Sequence, residues 1–239
     1  MTAPLFLAGS LEGDVLTLGG DEGRHAATVR RIQPGEHVDL GDGAGQVASC
    51  VVEAVAGGTL TLRVVARRTE PPPAPRLVVV QALAKGDRAE DAVEAMTEVG
   101  VDEVVPWAAA RCVVRWDGER GAKARARWAA TARAAAKQSR RAWVPAVAPL
   151  AATRDVAARL SAAALAVVLH EDAQRPLAAA TVPAGGEVVV VVGPEGGIAE
   201  DELAAFGVEP YRLGRSVLRT STAGVAAAAV LLSRTARWG

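Results

Sequence analysis

The chain has 239 residues, 50% of them apolar, enough for an ordinary core and, by length, for two domains. Lys and Arg total 27 against 27 Asp and Glu, so a uniformly basic surface is excluded and any phosphate-binding role must rest on local charge. The start, Met1-Thr2-Ala3-Pro4, lacks a charged segment followed by an apolar one, and the longest apolar stretches are broken well short of a membrane span; a soluble, cytoplasmic protein with no membrane partner is expected. Cys50 and Cys112 lie far apart with no C-x-x-C and read as small core residues. His25, His37 and His170 are dispersed, and no metal site is expected.

In chain order, the first elements are short β-rich runs: Val15 to Leu18, His37 to Leu40, Gln46 to Val52 and Thr59 to Val65. Glycine or proline pairs punctuate them, at Gly19-Gly20, Pro34-Gly35, Gly41-Asp42-Gly43 and Gly57-Gly58. Short strands at that spacing predict a small barrel or sandwich. Glu70-Pro71-Pro72-Pro73-Ala74-Pro75 can continue neither a helix nor a central strand, so a stiff linker over 71–76 separates a domain over 1–70 from one over 77–239.

Beyond the linker, apolar strands alternate with helical patterns. Leu77 to Leu83 is a strand, followed by a helix with Ala92, Val93, Met96 and Val99 on one face. Val104 to Trp107, a basic helix from about Glu119 to Ser139, Leu165 to Leu169, Val188 to Val192 and an alanine-rich helix from Thr222 to Arg237 complete the series. This alternation predicts an α/β domain with a parallel sheet. Charge is segregated along it. Ten basic residues between Arg111 and Arg141 face only Asp117 and Glu119, while Asp87 to Glu103 carries seven carboxylates and one arginine, Arg88. A neutral chain with that distribution presents a positive face to phosphate, or else a solvated helix. Glu200, Asp201 and Glu202 open a helix where carboxylates favour the positive end of its dipole, but Ala199 stands where a capping Ser or Thr belongs, so a weak helix start is expected.

Two glycine loops carry the chemistry. The buried valine strand runs into Gly193-Pro194-Glu195-Gly196-Gly197, and a second turn follows at Leu213-Gly214 through Arg219-Thr220-Ser221-Thr222-Ala223-Gly224. Loops at the carboxyl ends of parallel strands bring bare backbone groups to a sheet edge where small ligands bind. Neither matches a dinucleotide or triphosphate fingerprint. Taken singly, the glycines also fit ordinary strand-to-helix turns. An adenine ring can be held by such backbone contacts, and a side chain at Gly196 is expected to intrude on the ligand's space.

Together these segments resemble the bacterial 16S ribosomal RNA uridine-N3 methyltransferases, the RsmE family within the SPOUT class of knotted methyltransferases. The likeness runs the whole length. His25-Ala26-Ala27-Thr28-Val29-Arg30-Arg31 resembles the family's His-x-x-x-Leu-Arg segment, and Gly41-Asp42-Gly43 its Asp-Gly turn. Ala84-Lys85-Gly86-Asp87-Arg88, Thr97-Glu98-Val99-Gly100, Arg127-Trp128 and Gln138-Ser139-Arg140-Arg141 fall where further family segments lie. Val192 to Gly197 and Leu213 to Ala223 match the most specific signatures, except that Ser221 stands where many members carry Glu.

The resemblance implies a PUA-like β-barrel that binds RNA, a SPOUT α/β domain with a trefoil knot, a homodimer, and S-adenosylmethionine as methyl donor to 16S rRNA, within the small ribosomal subunit. Leu169, His170, Gly193, Pro194, Glu195, Gly196, Gly197, Leu213, Gly214, Leu218, Arg219, Thr220 and Ala223 are the implied cofactor residues. Arg219 and Arg140 are expected to stabilise negative charge on the uridine, and Glu195 either takes the N3 proton, directly or through water, or only orients its loop. Arg24, His25, Arg30, Arg31, Lys85, Arg88, Arg127, Arg140 and Arg141 are the implied RNA contacts. With Phe 2, Trp 5 and Tyr 1 there are few stacking platforms, so recognition is expected to lean on RNA shape and backbone. Two rivals stay open: a SPOUT enzyme acting on tRNA or a ribose 2′-oxygen, and a non-catalytic RNA-binding assembly factor, to which Ser221 lends support.

Overall fold

Alternating side chains in the first part of the chain fold into a five-stranded sheet in the computed structural model, which describes residues 3–86 and 88–238. Asp87, with which the acidic stretch begins, lies outside the described residues. The strands are β1 (Leu5–Leu7), β2 (Val15–Leu18), β3 (His37–Gly41), β4 (Gln46–Ala56) and β5 (Thr59–Thr69), in the order β1-β3-β4-β5-β2. β1 runs parallel to β3 and the other pairs are antiparallel. Gly57 and Gly58 turn β4 into β5 with φ of 58° and 78°, the left-handed pair that a two-residue hairpin requires. β4 and β5 extend beyond the runs read from sequence because their far ends are exposed, and solvated residues such as Arg67 and Arg68 pair through backbone without an apolar alternation. Between β2 and β3 lie a helix missed by periodicity, α1 (Gly20–Arg24), and a π-helical turn over His25–Val29.

The second sheet is wholly parallel. Its strands are β6 (Arg76–Ala82), β7 (Glu103–Trp107), β8 (Ala146–Val147), β9 (Leu165–Val168) and β11 (Glu187–Val192), in the order β8-β7-β6-β11-β9. Two further short strands, β10 (Arg175–Pro176) and β12 (Tyr211–Arg212), pair with each other. The helices are α2 (Arg88–Val99), α3 (Gly118–Gln138), α4 (Thr153–Ala162), α5 (Glu200–Phe206) and α6 (Thr220–Leu232). Val188, Val190 and Val192 join Leu77 and Val79 in a core with residues of α2, α3 and α6, whereas Val189 and Val191 join Val78 and Val80 in a core with residues of α4 and α5. A period of two thus feeds two layers, which is why the strand reads as unbroken valine. Fully burying each valine is worth about 1.5–3 kcal/mol relative to exposure.

The chain divides into two compact units, Met1–Pro72 with Ala136–Val144, and Pro73–Ala135 with Pro145–Gly239. The last turn of α3 and the segment after it therefore return to the first unit, a return the division at the prolines does not include. Physical ties explain it. Lys137 Nζ meets Glu22 Oε1 at 2.6 Å, Ala142 packs with Leu5 and Val47, and Trp143 Nε1 donates to the Glu70 carbonyl at 3.1 Å.

At the amino ends of β6, β7 and β11, charges are paired. Arg159 donates to both Glu103 oxygens at 2.7 Å and to Glu187 at 3.0 and 3.2 Å, and Arg76 meets Glu187 at 2.6 Å and Glu103 at 2.7 Å. Burial pushes the Glu187 carboxyl up, but the bonds and charges of Arg159 and then Arg76 outweigh it and hold that carboxyl below the usual range. The α6 helix starts two residues before and ends five residues before the span read from its alanine run; Arg237, assigned to it from sequence, instead binds both Asp102 oxygens at 2.7 and 3.0 Å.

Candidate functional site

The carboxyl ends of β9 and β11 carry a cleft of about 890 Å³ in the second unit. Three segments wall it: Leu169 to Asp172 after β9, Val192 to Ile198 after β11, and Tyr211 to Ala223 from β12 into α6. All of the cofactor residues expected from sequence line this one cleft: Leu169, His170, Gly193, Pro194, Glu195, Gly196, Gly197, Leu213, Gly214, Leu218, Arg219, Thr220 and Ala223.

The first glycine loop is held from several sides. Gly197 N–H donates to the Pro194 carbonyl at 2.9 Å with φ of 74°, closing a turn that favours glycine. A Cβ on Gly193 would lie 2.7 Å from Ile198 Cγ1. A Cβ on Gly196 would lie 3.3 Å from Arg111 Cβ, while Arg111 Nη1 donates to the Gly196 carbonyl at 3.0 Å. A side chain at 196 would therefore press on Arg111 as well as stand at the cleft wall. Thr220 Oγ1 donates to the Gly193 carbonyl at 3.1 Å, joining the first loop to the start of α6.

The second loop differs. Gly214 to Arg219 are all exposed, with Val217 74% and Leu218 40% accessible, and Arg219 is the N-terminal flanking residue of α6. On the third wall, the Asp172 N–H donates to His170 Nδ1 at 3.2 Å, so a neutral His170 carries its proton on Nε2. Arg175 stacks 4.4 Å over the Tyr211 ring and donates to its hydroxyl at 2.7 Å, fixing the strand that launches the second loop.

The expected weak start of α5 is corrected. Ala199 offers no side-chain acceptor, but Glu202 supplies the other half of the box by accepting the Ala199 N–H at 3.2 Å. Its second oxygen accepts the Ala110 N–H and the Thr153 hydroxyl, each at 2.9 Å, so this buried carboxylate ties three segments beneath the cleft.

Of the residues expected for catalysis and RNA contact, Glu195, Arg219 and Arg88 line the cleft. Lys85 is exposed just before α2, and Arg127 on α3 pairs with Glu90 at 3.3 Å; neither is among the lining residues. Arg24, His25, Arg30, Arg31, Arg140 and Arg141 belong to the first unit. There Arg24 pairs with Asp21, and Arg31 and Arg140 each take a left-handed backbone, with φ of 54° and 57°, just after a helical segment. Sequence reasoning missed Arg111, Glu171, Asp172, Arg212 and Arg215 as lining residues. Their common signal is position at a strand's carboxyl end or a few residues past it. Cys50 is buried and Cys112 half-buried, both unpaired. Among the described residues no cluster suited to a metal and no helix long and apolar enough to cross a membrane occurs.

The lining is bipolar. Arg88, Arg111, Arg212, Arg215 and Arg219 share it with Glu171, Asp172, Glu195 and Glu200, and Leu169, Val192, Ile198 and Leu213 add apolar surface. Such a lining suits a ligand that joins a flat apolar ring to groups of both charges.

Residues 70–232 match the RNA methyltransferase domain family, and residues 18–65 match the RNA methyltransferase PUA domain family. A Mycobacterium bovis protein named ribosomal RNA small subunit methyltransferase E is 47% identical over 247 residues, covering 100% of this chain and 94% of the relative. A Bacillus subtilis protein of the same name is 28% identical over 223 residues, covering 89% and 87%. A Neisseria gonorrhoeae ribosomal RNA small subunit methyltransferase E, solved bound to S-adenosyl methionine, superposes with a TM-score of 0.85 at 26% identity, covering 97% of this chain and 98% of that one. A Legionella pneumophila protein solved with bound SAM gives 0.86 at 25% identity, covering 98% and 99%. Fold and matches together define an RNA methyltransferase with a PUA domain. Within that class, the chain belongs to the ribosomal RNA small subunit methyltransferase E family.

Proposed function

We propose that this protein binds S-adenosylmethionine in the cleft and methylates N3 of a uridine in the decoding region of 16S ribosomal RNA, in the cytoplasm. The observation that carries the reading is the convergence on one cleft of every cofactor residue implied by the resemblance, in a chain 47% identical along its whole length to a ribosomal RNA small subunit methyltransferase E. The residues present fit the cofactor. The close approach of Ile198 and Arg111 to the glycine loop leaves backbone and apolar side chains for an adenine, while the paired signs of the lining suit the zwitterionic amino-acid end and the sulfonium.

When bound, S-adenosylmethionine supplies a methyl group on a sulfonium whose leaving group is a neutral thioether, so no metal is required. The chain's own tasks are alignment and charge. Uridine N3 lies on the Watson–Crick edge and must be unpaired or flipped out to be reached. N3 gives up its proton as it attacks, and Glu195, exposed on the first loop, is the group proposed to accept it directly or through water. Negative charge then spreads to the base oxygens, where Arg219 at the mouth of the cleft is proposed to stabilise it, with Arg140 contributing from outside the cleft lining. Arg24, His25, Arg30, Arg31 and Arg141 of the first unit, with Lys85, Arg88 and Arg127, are proposed to hold RNA phosphates. The reading also takes from the family a barrel-like first domain, a knotted second domain and a homodimer.

The test joins calorimetry with mass-spectrometric mapping. The chain should bind S-adenosylmethionine and restore N3-methyluridine to 16S rRNA in a strain lacking the uridine-N3 enzyme. Methylation appearing on tRNA or on a ribose 2′-oxygen would replace the substrate, and cofactor binding without any methyl transfer would make the protein an assembly factor.

A further inference from the structure

Position 81 breaks an apolar run. Leu77, Val78, Val79 and Val80 precede it and Ala82 follows, all buried, yet Gln81 is 1% exposed at the carboxyl end of the central strand β6. In register it lies opposite Val192, the last residue before the first glycine loop. Its Nε2 donates to the Thr220 carbonyl at 3.4 Å and to the Ala82 carbonyl at 3.3 Å. Both partners are acceptors, so the nitrogen must face them, and Oε1 is left buried with no partner among the described residues. That oxygen lies 3.5 Å from where a Cβ on Gly224 would stand, and the same Cβ would meet Met96 Sδ at 2.8 Å. Gly224 thus lets α6 come down onto β6 and α2.

A buried amide with one orphaned atom is a poor filler, and a leucine or methionine would pack the site without that penalty. What Gln81 adds is a bond to the first turn of α6, where Arg219, Thr220, Ser221 and Ala223 all line the cleft. Thr220 passes the connection on, because its hydroxyl donates to the Gly193 carbonyl at 3.1 Å. Gln81, Thr220 and Gly193 form a polar relay that joins the roots of both glycine loops beneath the cleft. We infer that Gln81 is a positioning residue, which locks the second loop against the first so that Arg219 is held over a ready-formed floor. Its consequence for the cofactor rests on the proposed reading of the cleft as an S-adenosylmethionine site.

The experiment uses the full chain and the near-isosteric Gln81→Met. Hydrogen exchange without ligand should be about tenfold faster at the amides of Gly193, Glu195, Gly196 and Gly197 and of residues 219–223, while β6 and α2 keep their protection. The melting temperature should equal or exceed the parent's, since an orphaned acceptor is removed, and the Kd for S-adenosylmethionine should rise about tenfold. Thr220→Val cuts the relay at its next link, and the double variant should exchange no faster at residues 193–197 than the faster single one. Parent-like exchange in both loops would overturn the inference, as would faster exchange spread through β6 and α2 with a lower melting temperature. Accelerated loops with unchanged cofactor affinity would overturn the positioning role. If the parent chain fails to bind S-adenosylmethionine, the proposed function falls, while loop exchange still decides whether Gln81 couples the loops.

Discussion

One parallel sheet has two edges, and its charges are treated oppositely at each. At the amino edge Arg76, Glu103, Arg159 and Glu187 satisfy one another at 2.6 to 3.2 Å. At the carboxyl edge Arg88, Arg212, Arg215 and Arg219 form no ion pair among the described residues, although carboxylates share the cleft lining. A guanidinium with its partners supplied by the fold acts on stability. One kept without them is available to a ligand. The difference separates two kinds of arginine that composition cannot tell apart.

The sharpest way to test the contrast is to remove one arginine from each edge. Arg219→Ala should lower methyl transfer by roughly 10²–10³-fold, as a lost oxyanion donor does, with the melting temperature unchanged. Lysine should rescue it only in part because it keeps the charge and loses the planar fork. Single-turnover methylation of ribosomal subunits at saturating cofactor and RNA reads the step. Near-normal turnover with much weaker cofactor binding would make Arg219 a cofactor ligand instead.

Arg159→Ala should show the mirror image. Removing Arg159 leaves Arg76 to serve two carboxylates alone, here at a cost of about 2–3 kcal/mol, below the case of a fully buried and stranded charge because Arg76 remains and the Arg159 side chain keeps 24% of its exposure. Cofactor affinity should not move. The effect also carries a pH signature: the Glu187 carboxyl is held below its ordinary value, so its share of stability is present above the unfolded-state value and is lost as pH falls through the folded one. Parent and variant should therefore converge in acid, and denaturant titrations at neutral and acidic pH would reveal a constant gap if the pairs are incidental.

Gly193→Ala lies between the two kinds of effect. Its Cβ would stand 2.7 Å from Ile198 Cγ1, so the loop or Ile198 must shift, at about 1–2 kcal/mol. Cofactor affinity should fall about tenfold along with a lower melting temperature, since a tenfold change corresponds to about 1.4 kcal/mol of the same distortion. Parent-like calorimetry would show that the loop's shape is not part of the site.

The cleft was legible in sequence because its parts are local: a valine strand, then a five-residue loop of proline and glycine around Glu195, then a second glycine turn. Arg111 was not, because its role is a contact across 85 residues of sequence to the Gly196 carbonyl. Glu202 was read only as a dipole partner, since nothing in its neighbourhood announces the Ala110 and Thr153 bonds. The longer strands of the two main sheets followed from periodicity, whereas the short strands β1, β8, β10 and β12, the helices α1 and α4 and the return of Ala136–Val144 to the first unit did not. A five-residue helix has no period to detect, and a return is a long-range event. The alanine run marked α6 but not its ends, because propensity favours helix throughout and termination depends on contacts such as that of Arg237 with Asp102.

Comparison of the two units yields a smaller prediction. Reversing charge at Arg30 and Arg31, both exposed in the first unit, should weaken RNA binding about tenfold and flatten its salt dependence without touching cofactor affinity. Binding measured across a salt series decides it, and parent-like slopes would remove this surface from RNA docking.

The smallest effect is expected at Ser221, the position at which the family resemblance implies a glutamate. Ser221 is the second residue of α6, half-buried on the cleft wall beside Arg219. A glutamate there meets the positive end of the helix dipole, worth about 0.3–1 kcal/mol, which in a chain of this size raises the melting temperature by no more than a few degrees. The cleft already holds Glu171, Asp172, Glu195 and Glu200, so a fifth acid adds little to its capacity for accepting a proton. Ser221→Glu should therefore stabilise slightly and leave single-turnover methyl transfer unchanged. A large gain in rate would mean that the serine had cost this enzyme a working group, and that the base lies on α6 instead of on the loop of Glu195.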